Sequence, residues 1–349
     1  MLDEGRLLGH EQRISGSVER VLLLKRLPMV STLTGPQLAL VAEQIGERFF
    51  PKGSVLLREG EPPSALYFPV EGRIHLTRGG RVIGHAGPGL SVGPFHVLAR
   101  DAQGLGAVAE TDTVALELSS DTLFEIFDEN FSILHHVLRE VSRQIVEHLV
   151  RFPKAVFLLT PSTEGPATPP RELDLVERIF LLRKSPVFLN ASISALGQLA
   201  RGLTEVRMPP GTRLWQEGEA TGWGSIIVSG SVRCTSSHGH DFVGSPGIIL
   251  GSLDAVAEVP RWFDAVTETP VVALQANMQY LIDVFEDNFS MALDYLAVQA
   301  RWLLEIFDRS LVSRERLTRM YGCEPEADSG SHPAPVLGPA AGPAAGPAA

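Results

Sequence analysis

The sequence predicts a mainly β protein with flanking helices, made from one domain fold used twice. The first observation behind this is an ungapped internal repeat. PKGSVLLREGE, starting at Pro51, returns as PPGTRLWQEGE, starting at Pro209, and the offset of 158 residues that separates Gly53 from Gly211 also pairs Gly72 with Gly230, Gly89 with Gly247 and Gly93 with Gly251. The second is that ERVLLLKR at Glu19 pairs with ERIFLLRK at Glu177, and LFEIFDENFS at Leu123 with LIDVFEDNFS at Leu281, so each unit starts and ends on helical patterns. The third is a run of short β segments between them, separated by glycines. No gap is needed from Glu19 to Ser132, a register that chance similarity does not hold.

The first unit opens with a short apolar helix, Val18 to Arg26. After Pro28, Thr34 is the candidate N-cap of a second helix, in which Leu38, Val41 and Ile45 share one face. Four strand candidates follow: SVLLREG, ALYFPVEG, RIHLTRGG and RVIGHAG. Gly79-Gly80 sits where a tight hairpin needs positive φ. Many short strands with glycine turns argue for a sandwich or roll. Next comes Pro88 to Thr111, whose counterpart starts at Pro246: a Gly-rich turn, one turn of helix, and a run of small and β-branched residues. Such a turn leaves backbone N–H groups free to face an anion, and the start of a short helix adds partial positive charge. Strand TVALEL then leads into a helical region, Asp121 to Phe152.

That last helix carries Leu134, Leu138, Val141, Ile145, Leu149 and Phe152 at spacings of three or four. The stripe fits a helix packed on its own domain, and equally a seam against another subunit or the sister domain. The second unit offers Ala292, Leu296, Ala300, Leu303 and Phe307, with Gln299 where the first has Val141. A homodimer or another protein partner meeting these C-terminal helices is therefore an expectation.

Composition sets outer bounds. A chain of 349 residues accommodates two domains, and 44% hydrophobic with 20% charged residues is globular. A net charge of −11 argues against a nucleic-acid partner, which needs clustered Lys and Arg. The two cysteines, Cys234 and Cys323, lack histidines at metal spacing and read as unrelated reduced thiols of a cytoplasmic protein. MLDEGRLLGHEQR has no apolar centre, so it is not read as a signal peptide, and no apolar run reaches the ~20 residues of a membrane span. Residues 1–17 are expected to be an extension, 18–152 the first domain, 153–172 a Pro- and Thr-rich linker and 173–309 the second domain. Residues 310–322 read as a short helical extension and 323–349 as a disordered Gly/Pro/Ala tail.

With these residues in place, each unit resembles the cyclic nucleotide-binding domain shared by the bacterial catabolite activator and the regulatory subunit of cyclic-AMP-dependent kinase. The marks are G-x-x-x-x-x-E-G-E from Gly53 and Gly211, the strand ending at Gly72 and Gly230, and P-G-x-x-x-G before the anion turn. The resemblance implies two tandem β-rolls of the double-stranded β-helix or jelly-roll kind, flanked by helices. No DNA-binding domain is expected, because few structured residues follow Ser310. In the family's cassette a glutamate binds the ribose 2′-hydroxyl, an arginine neutralises the cyclic phosphate, and a side chain from the terminal helix covers the base.

Both cassettes depart from that pattern. In the first, Gly93 is kept, Pro94 takes the glutamate position and Gln103 the arginine position, with Phe95 and Gly104 beside them. Proline offers neither an acceptor side chain nor a backbone donor. Losing a charge-assisted partner to a buried phosphate costs about 2–5 kcal/mol. The first site is therefore expected not to bind a cyclic nucleotide, unless Arg100, three positions before Gln103, substitutes. In the second, Gly251 is kept, Ser252 replaces the glutamate ahead of Leu253, and Arg261 holds the arginine position. Trp262 and Phe263 replace small residues and threaten to fill the pocket, Asp254 adds a negative charge, and Trp302 is the base-capping candidate. The alternative for Arg261 is a surface or interface ion pair, and for Trp302 core packing. A cyclic nucleotide at the second site is the one ligand in view.

Other chemistry finds little support. His238 and His240 in SSHGHD read as an exposed turn, and the adjacent His135 and His136 diverge on a helix, so no metal site is expected. No catalytic triad, P-loop or carboxylate pair stands out, so an enzyme is not expected. Arg13-Ile14-Ser15 falls short of a basic pseudosubstrate. The expectation is a non-enzymatic regulatory protein, with a ligand-independent interaction scaffold as the alternative.

Overall fold

The computed structural model describes residues 16–26, 30, 33–101, 104–151 and 168–310. Residues 1–15, most of the expected linker, Gln103, Phe152, and everything beyond 310, including Cys323 and the expected tail, lie outside the described residues.

The first half begins with helices α1 (Ser17–Leu24) and α2 (Gly35–Gln44). Thr34 caps α2, and Gln37 completes a reciprocal capping box that the sequence reading had not paired with it. Leu38, Val41 and Ile45 are buried as their spacing predicts. The strands are β1 (Gly46–Phe50), β2 (Val55–Leu57), β3 (Ala65–Glu71), β4 (Ile74–Arg78), β5 (Arg81–Ala86), β6 (Gly106–Ala109) and β7 (Thr113–Ser119), with the short helix α3 (Pro94–Ala99) between β5 and β6. They form two antiparallel sheets, ordered β1-β7-β3 and β2-β6-β4-β5. The β4–β5 hairpin turns at Gly79 and Gly80 with φ of 59° and 70°, the conformation that glycine adopts without strain. Helices α4 (Ser120–Glu129) and α5 (Phe131–Arg151) close this half.

The second half repeats the order. Helices α6 (Leu175–Lys184) and α7 (Ile193–Arg201) precede strands β8 (Thr204–Met208), β9 (Arg213–Trp215), β10 (Trp223–Ser229), β11 (Val232–Thr235), β12 (Asp241–Gly244) and β13 (Ile249–Leu250). Then come α8 (Ser252–Ala257), β14 (Asp264–Thr267), β15 (Val271–Asn277), α9 (Met278–Asp287) and α10 (Phe289–Ser310). Its sheets run β13-β10-β15-β8 and β12-β11-β14-β9. The pairing of β13 with β10 survives in the first half as a single bridge, Tyr67 to Val92. Two mainly β rolls with flanking helices are what the repeat predicted.

The terminal helices settle the question left open by their stripes. Leu134, Leu138, Val141, Ile145 and Leu149 of α5 are buried, as are Ala292, Leu296, Ala300, Leu303 and Phe307 of α10. The early part of α5 faces its own domain, where Ile133 and Val137 meet Leu24, Leu66 and Leu98 around a small apolar cavity. Further along, α5 packs on α8 of the other half, α10 packs on α3, and the two helices meet each other. Gln299 Nε2 donates to Ser142 Oγ at 2.8 Å inside this seam, and His148 meets Phe307 edge-on. The faces read as partner-seeking are thus covered within one chain, which corrects the expectation of a homodimer through them.

Candidate functional site

The two cassette helices, α3 and α8, lie at the junction of the halves. Each starts from a glycine in the left-handed region, Gly93 at φ 85° and Gly251 at φ 74°, and each ends on a non-glycine residue there, Arg100 at 50° and Glu258 at 54°. Side chains at that conformation are uncommon, and both point across the junction. Arg100 Nη1 donates to Asp294 of α10 at 3.1 Å, and Arg139 of α5 donates to Glu258 at 3.1 Å. Arg100 therefore does not stand in for a cassette arginine: its guanidinium lies over the Phe124 ring at 5.5 Å and pairs with the other half.

In the first cassette, Pro94 occupies the first turn of α3, where its missing N–H costs nothing. Phe95 turns to α10 and meets the Phe307 ring at 5.9 Å. Gly104 has φ 66°, and its carbonyl accepts from Arg78 Nη1 at 2.9 Å. Arg78 also pairs with Asp101 at 2.7 Å and grips Asp308 at the end of α10 through two bonds of 2.8 Å. Burial pushes the His96 imidazole down to about 4, with nearby Arg78 adding to the effect, so this group is neutral near pH 7. The Gly93 surroundings are aliphatic: a Cβ there would sit 3.2 Å from Leu57 Cδ1.

The second cassette is built differently. Arg261 is 1% exposed, and so is Asp254, three residues into α8. Arg261 Nη1 donates to the Gly251 carbonyl at 2.8 Å and to Asp254 Oδ2 at 3.1 Å, while Nη2 donates to the Trp223 carbonyl at 2.6 Å. The guanidinium also lies 4.2 Å from the Trp215 ring centroid and 5.1 Å from that of Trp223. Burial pushes the Asp254 carboxyl above the usual carboxylate range, against the pull of Arg261. A Cβ on Gly251 would overlap Arg261 Nη1, so the glycine is needed to seat this side chain. The alternative for Arg261, a surface or interface ion pair, takes the form of a buried pair within its own cassette.

Aromatic rings fill the space beside it. Trp262 meets Phe263 at 4.7 Å and stacks on Phe242 at 5.8 Å, and Phe263 meets Trp215 at 5.5 Å. Ser252 opens α8, and burial pushes the Tyr295 phenol of α10 up to about 12, against the opposing influence of Ser252 and Gln299. Leu253 is buried. Trp302 is half-buried against the core on α10, so the indoles that meet Arg261 are Trp215 and Trp223. Sequence reasoning missed those two. The available signal was compositional: the 158-residue offset pairs them with Leu57 and Ala65, and all four tryptophans fall in the second half.

His240 also departs from expectation. It is buried, its Nε2–H donates to the Leu149 carbonyl of α5 at 2.7 Å, and its Nδ1 accepts from Ser236. Only His238 of that pair is exposed. Cys234 is free and buried, its thiol pushed up to about 12 by that burial. Among the described residues no group of His, Cys, Asp and Glu could hold a metal ion, and no helix is long and apolar enough to cross a membrane.

Residues 47–130 match the family model of the cyclic nucleotide-binding domain. No curated protein matches the chain. Among solved structures it is similar to the regulatory domain of Toxoplasma gondii PKA with cAMP, at 17% identity and a TM-score of 0.32, over 86% of this chain and 98% of that one. The regulatory subunit of a cAMP-independent protein kinase A from Trypanosoma brucei is similar at 17% identity and a TM-score of 0.31, over 84% and 92%. The N-terminal domain of a transcriptional regulator from Streptomyces coelicolor A3(2) is similar at 24% identity and a TM-score of 0.34, over 37% and 95%. At these identities nothing about ligands follows from the likeness.

Proposed function

We propose, with the cyclic nucleotide-binding-type domain at residues 47–130 as premise, that the chain is a non-enzymatic, cytoplasmic regulatory protein. It works as an interaction scaffold for a protein partner and needs no cyclic nucleotide. The observation that supports this reading is the commitment of Arg261, whose guanidinium is bound by Asp254, Gly251 and Trp223 and faced by two indoles. An incoming phosphate would have to displace a carboxylate already inside the protein and find room among packed aromatic rings. In the first cassette Pro94 removes the ribose acceptor.

Calorimetric titration of the full chain with cyclic AMP and cyclic GMP tests this. Neither is expected to give saturable heat at millimolar ligand, and a dissociation constant below about 100 μM for either would overturn the reading.

A second reading, a ligand-responsive sensor, is favoured by one observation. A cleft of about 510 Å³ lies at the junction, lined by His135 from the first half and by Thr221, Glu258, Met278 and Gln279 from the second. A molecule there would touch both halves and bias their arrangement. Saturable heat that persists in Arg261→Met would favour this cleft over the cassette.

A further inference from the structure

The repeat ERVLLLKR/ERIFLLRK is not used by either cassette, yet it places apolar side chains in solvent at matching positions. Val18 and Leu22 of α1 are exposed, and so are Val176 and Phe180, their counterparts on α6. Ten large hydrophobic residues are exposed among the described residues, and five of them, Leu175, Val176, Phe180, Leu189 and Ile193, fall within one short stretch. Phe180 alone is 66% exposed. Arg183 Nη1 donates to the Leu189 carbonyl at 2.9 Å, which draws the end of α6 to Leu189 and the start of α7. A concentration of exposed apolar surface like this marks an interaction site.

We propose that this surface is the contact of a twofold dimer, in which α6 pairs antiparallel with α6 of a second copy of this chain. The argument is charge complementarity. Helix α6 begins with Asp174 as its cap and Glu177 in its first turn, and ends with Arg183 and Lys184; Arg171 pairs with both acids, but with Glu172 the stretch from 171 to 177 keeps three carboxylates against that one guanidinium. Pairing two such helices antiparallel sets the acidic start of each beside the basic end of the other. On the exposed edge Val176, Phe180 and Lys184 recur every four residues, so the twofold axis passes near Phe180, and Val176 of each copy lies along the aliphatic stem of the other's Lys184. Helix α1 has Glu19 in its first turn but a glycine cap and no basic residue in its last turn, with Lys25 and Arg26 just beyond it. It also has less apolar surface around it, because the offset puts Ser31 and Gly35 where the second half has Leu189 and Ile193. That difference selects α6. The proposal is independent of the cassettes, since association is read without any nucleotide.

Sedimentation velocity on the full chain at 1–100 μM tests it. The expected mass is twice the 37.8 kDa of one chain. Phe180→Glu is expected to raise the dimer dissociation constant at least 100-fold with its circular dichroism at 25 °C unchanged, while Leu22→Glu stays dimeric. Phe180→Cys is expected to give an intermolecular 180–180 disulfide on mild oxidation, located by mass spectrometry. Should Phe180→Glu fail to fold, Lys184→Glu is expected to raise the dissociation constant at least fivefold. A single-chain mass for the unaltered protein throughout that range would overturn the proposal and assign the face to another occupant, such as residues 152–167 or a different protein. A dimer indifferent to Phe180→Glu, or to Lys184→Glu where that variant is the one used, would overturn it as well.

Discussion

Three residues into α3 stands His96, and the repeat partner of that position in α8 is Asp254. By the same offset Gln103 answers to Arg261, Leu57 to Trp215 and Ala65 to Trp223. The first cassette has thus given up the cation at the position of Arg261 and sets Leu57 beside Gly93, while its remaining ion pair, Arg78 with Asp101, lies past the end of α3. The second has kept its cation, supplied a carboxylate from its own helix, and closed indoles over the pair. A phosphate site can be lost by removing the charge or by neutralising it internally, and under the scaffold function proposed above this chain does each once. The second route carries the larger energetic stake, because a buried charge must keep its partners.

The sharpest way to break the comparison is to strip the second cassette of its cation. Arg261→Met leaves Asp254 and two carbonyls without their donor, and is expected to destabilise the chain by about 3–5 kcal/mol in urea unfolding. Adding Asp254→Leu should recover most of that loss; no recovery would mean that packing, not charge, holds this cassette.

The first cassette should reveal itself by acid. Unfolded, His96 takes up its proton near pH 6.5; folded, only near 4. Between those values the unfolded state holds more protons, so stability falls as the pH drops, by on the order of 3 kcal/mol once below the folded value. His96→Leu should flatten that slope when unfolding is measured from pH 7 to pH 4.

Smaller effects test the seam that the two cassettes share. Gln299→Ala leaves the Ser142 hydroxyl buried without its donor and should cost about 1–3 kcal/mol. Arg100→Ala and Arg139→Ala break ion pairs that are largely open to solvent, and each should cost under about 1 kcal/mol by thermal or urea unfolding. A larger loss from either would mean that the ends of the cassette helices, not the seam, fix the junction.

Much of the architecture was readable in the sequence because register and glycine placement are local signals. Gly79 and Gly80 mark a hairpin whatever surrounds it, and the spacing of Leu134, Leu138 and Val141 marks a buried helical face. Strand β1 was missed, since GERFF carries no clean alternation and its residues are mostly exposed or half-buried. The docking of the halves was beyond reach for a different reason. Arg78 and Asp308 lie 230 residues apart, and His240 and Leu149 lie 91 apart, and no periodicity links them. In the second cassette Asp254 was noticed as a nearby charge. That it binds Arg261 depends on the turn at Gly251 and on two tryptophans contributed by separate strands.

Because α5 and α10 each lie on the other half's cassette helix, one peptide contains both members of what would otherwise be a pair of subunits. Covalent tethering holds such surfaces at an effective concentration on the order of millimolar. The contact then survives substitutions that would scatter two free chains. That tolerance gives one cassette the latitude to lack a cation at the position where its sister closes two indoles over one, with no loss of the embrace between them.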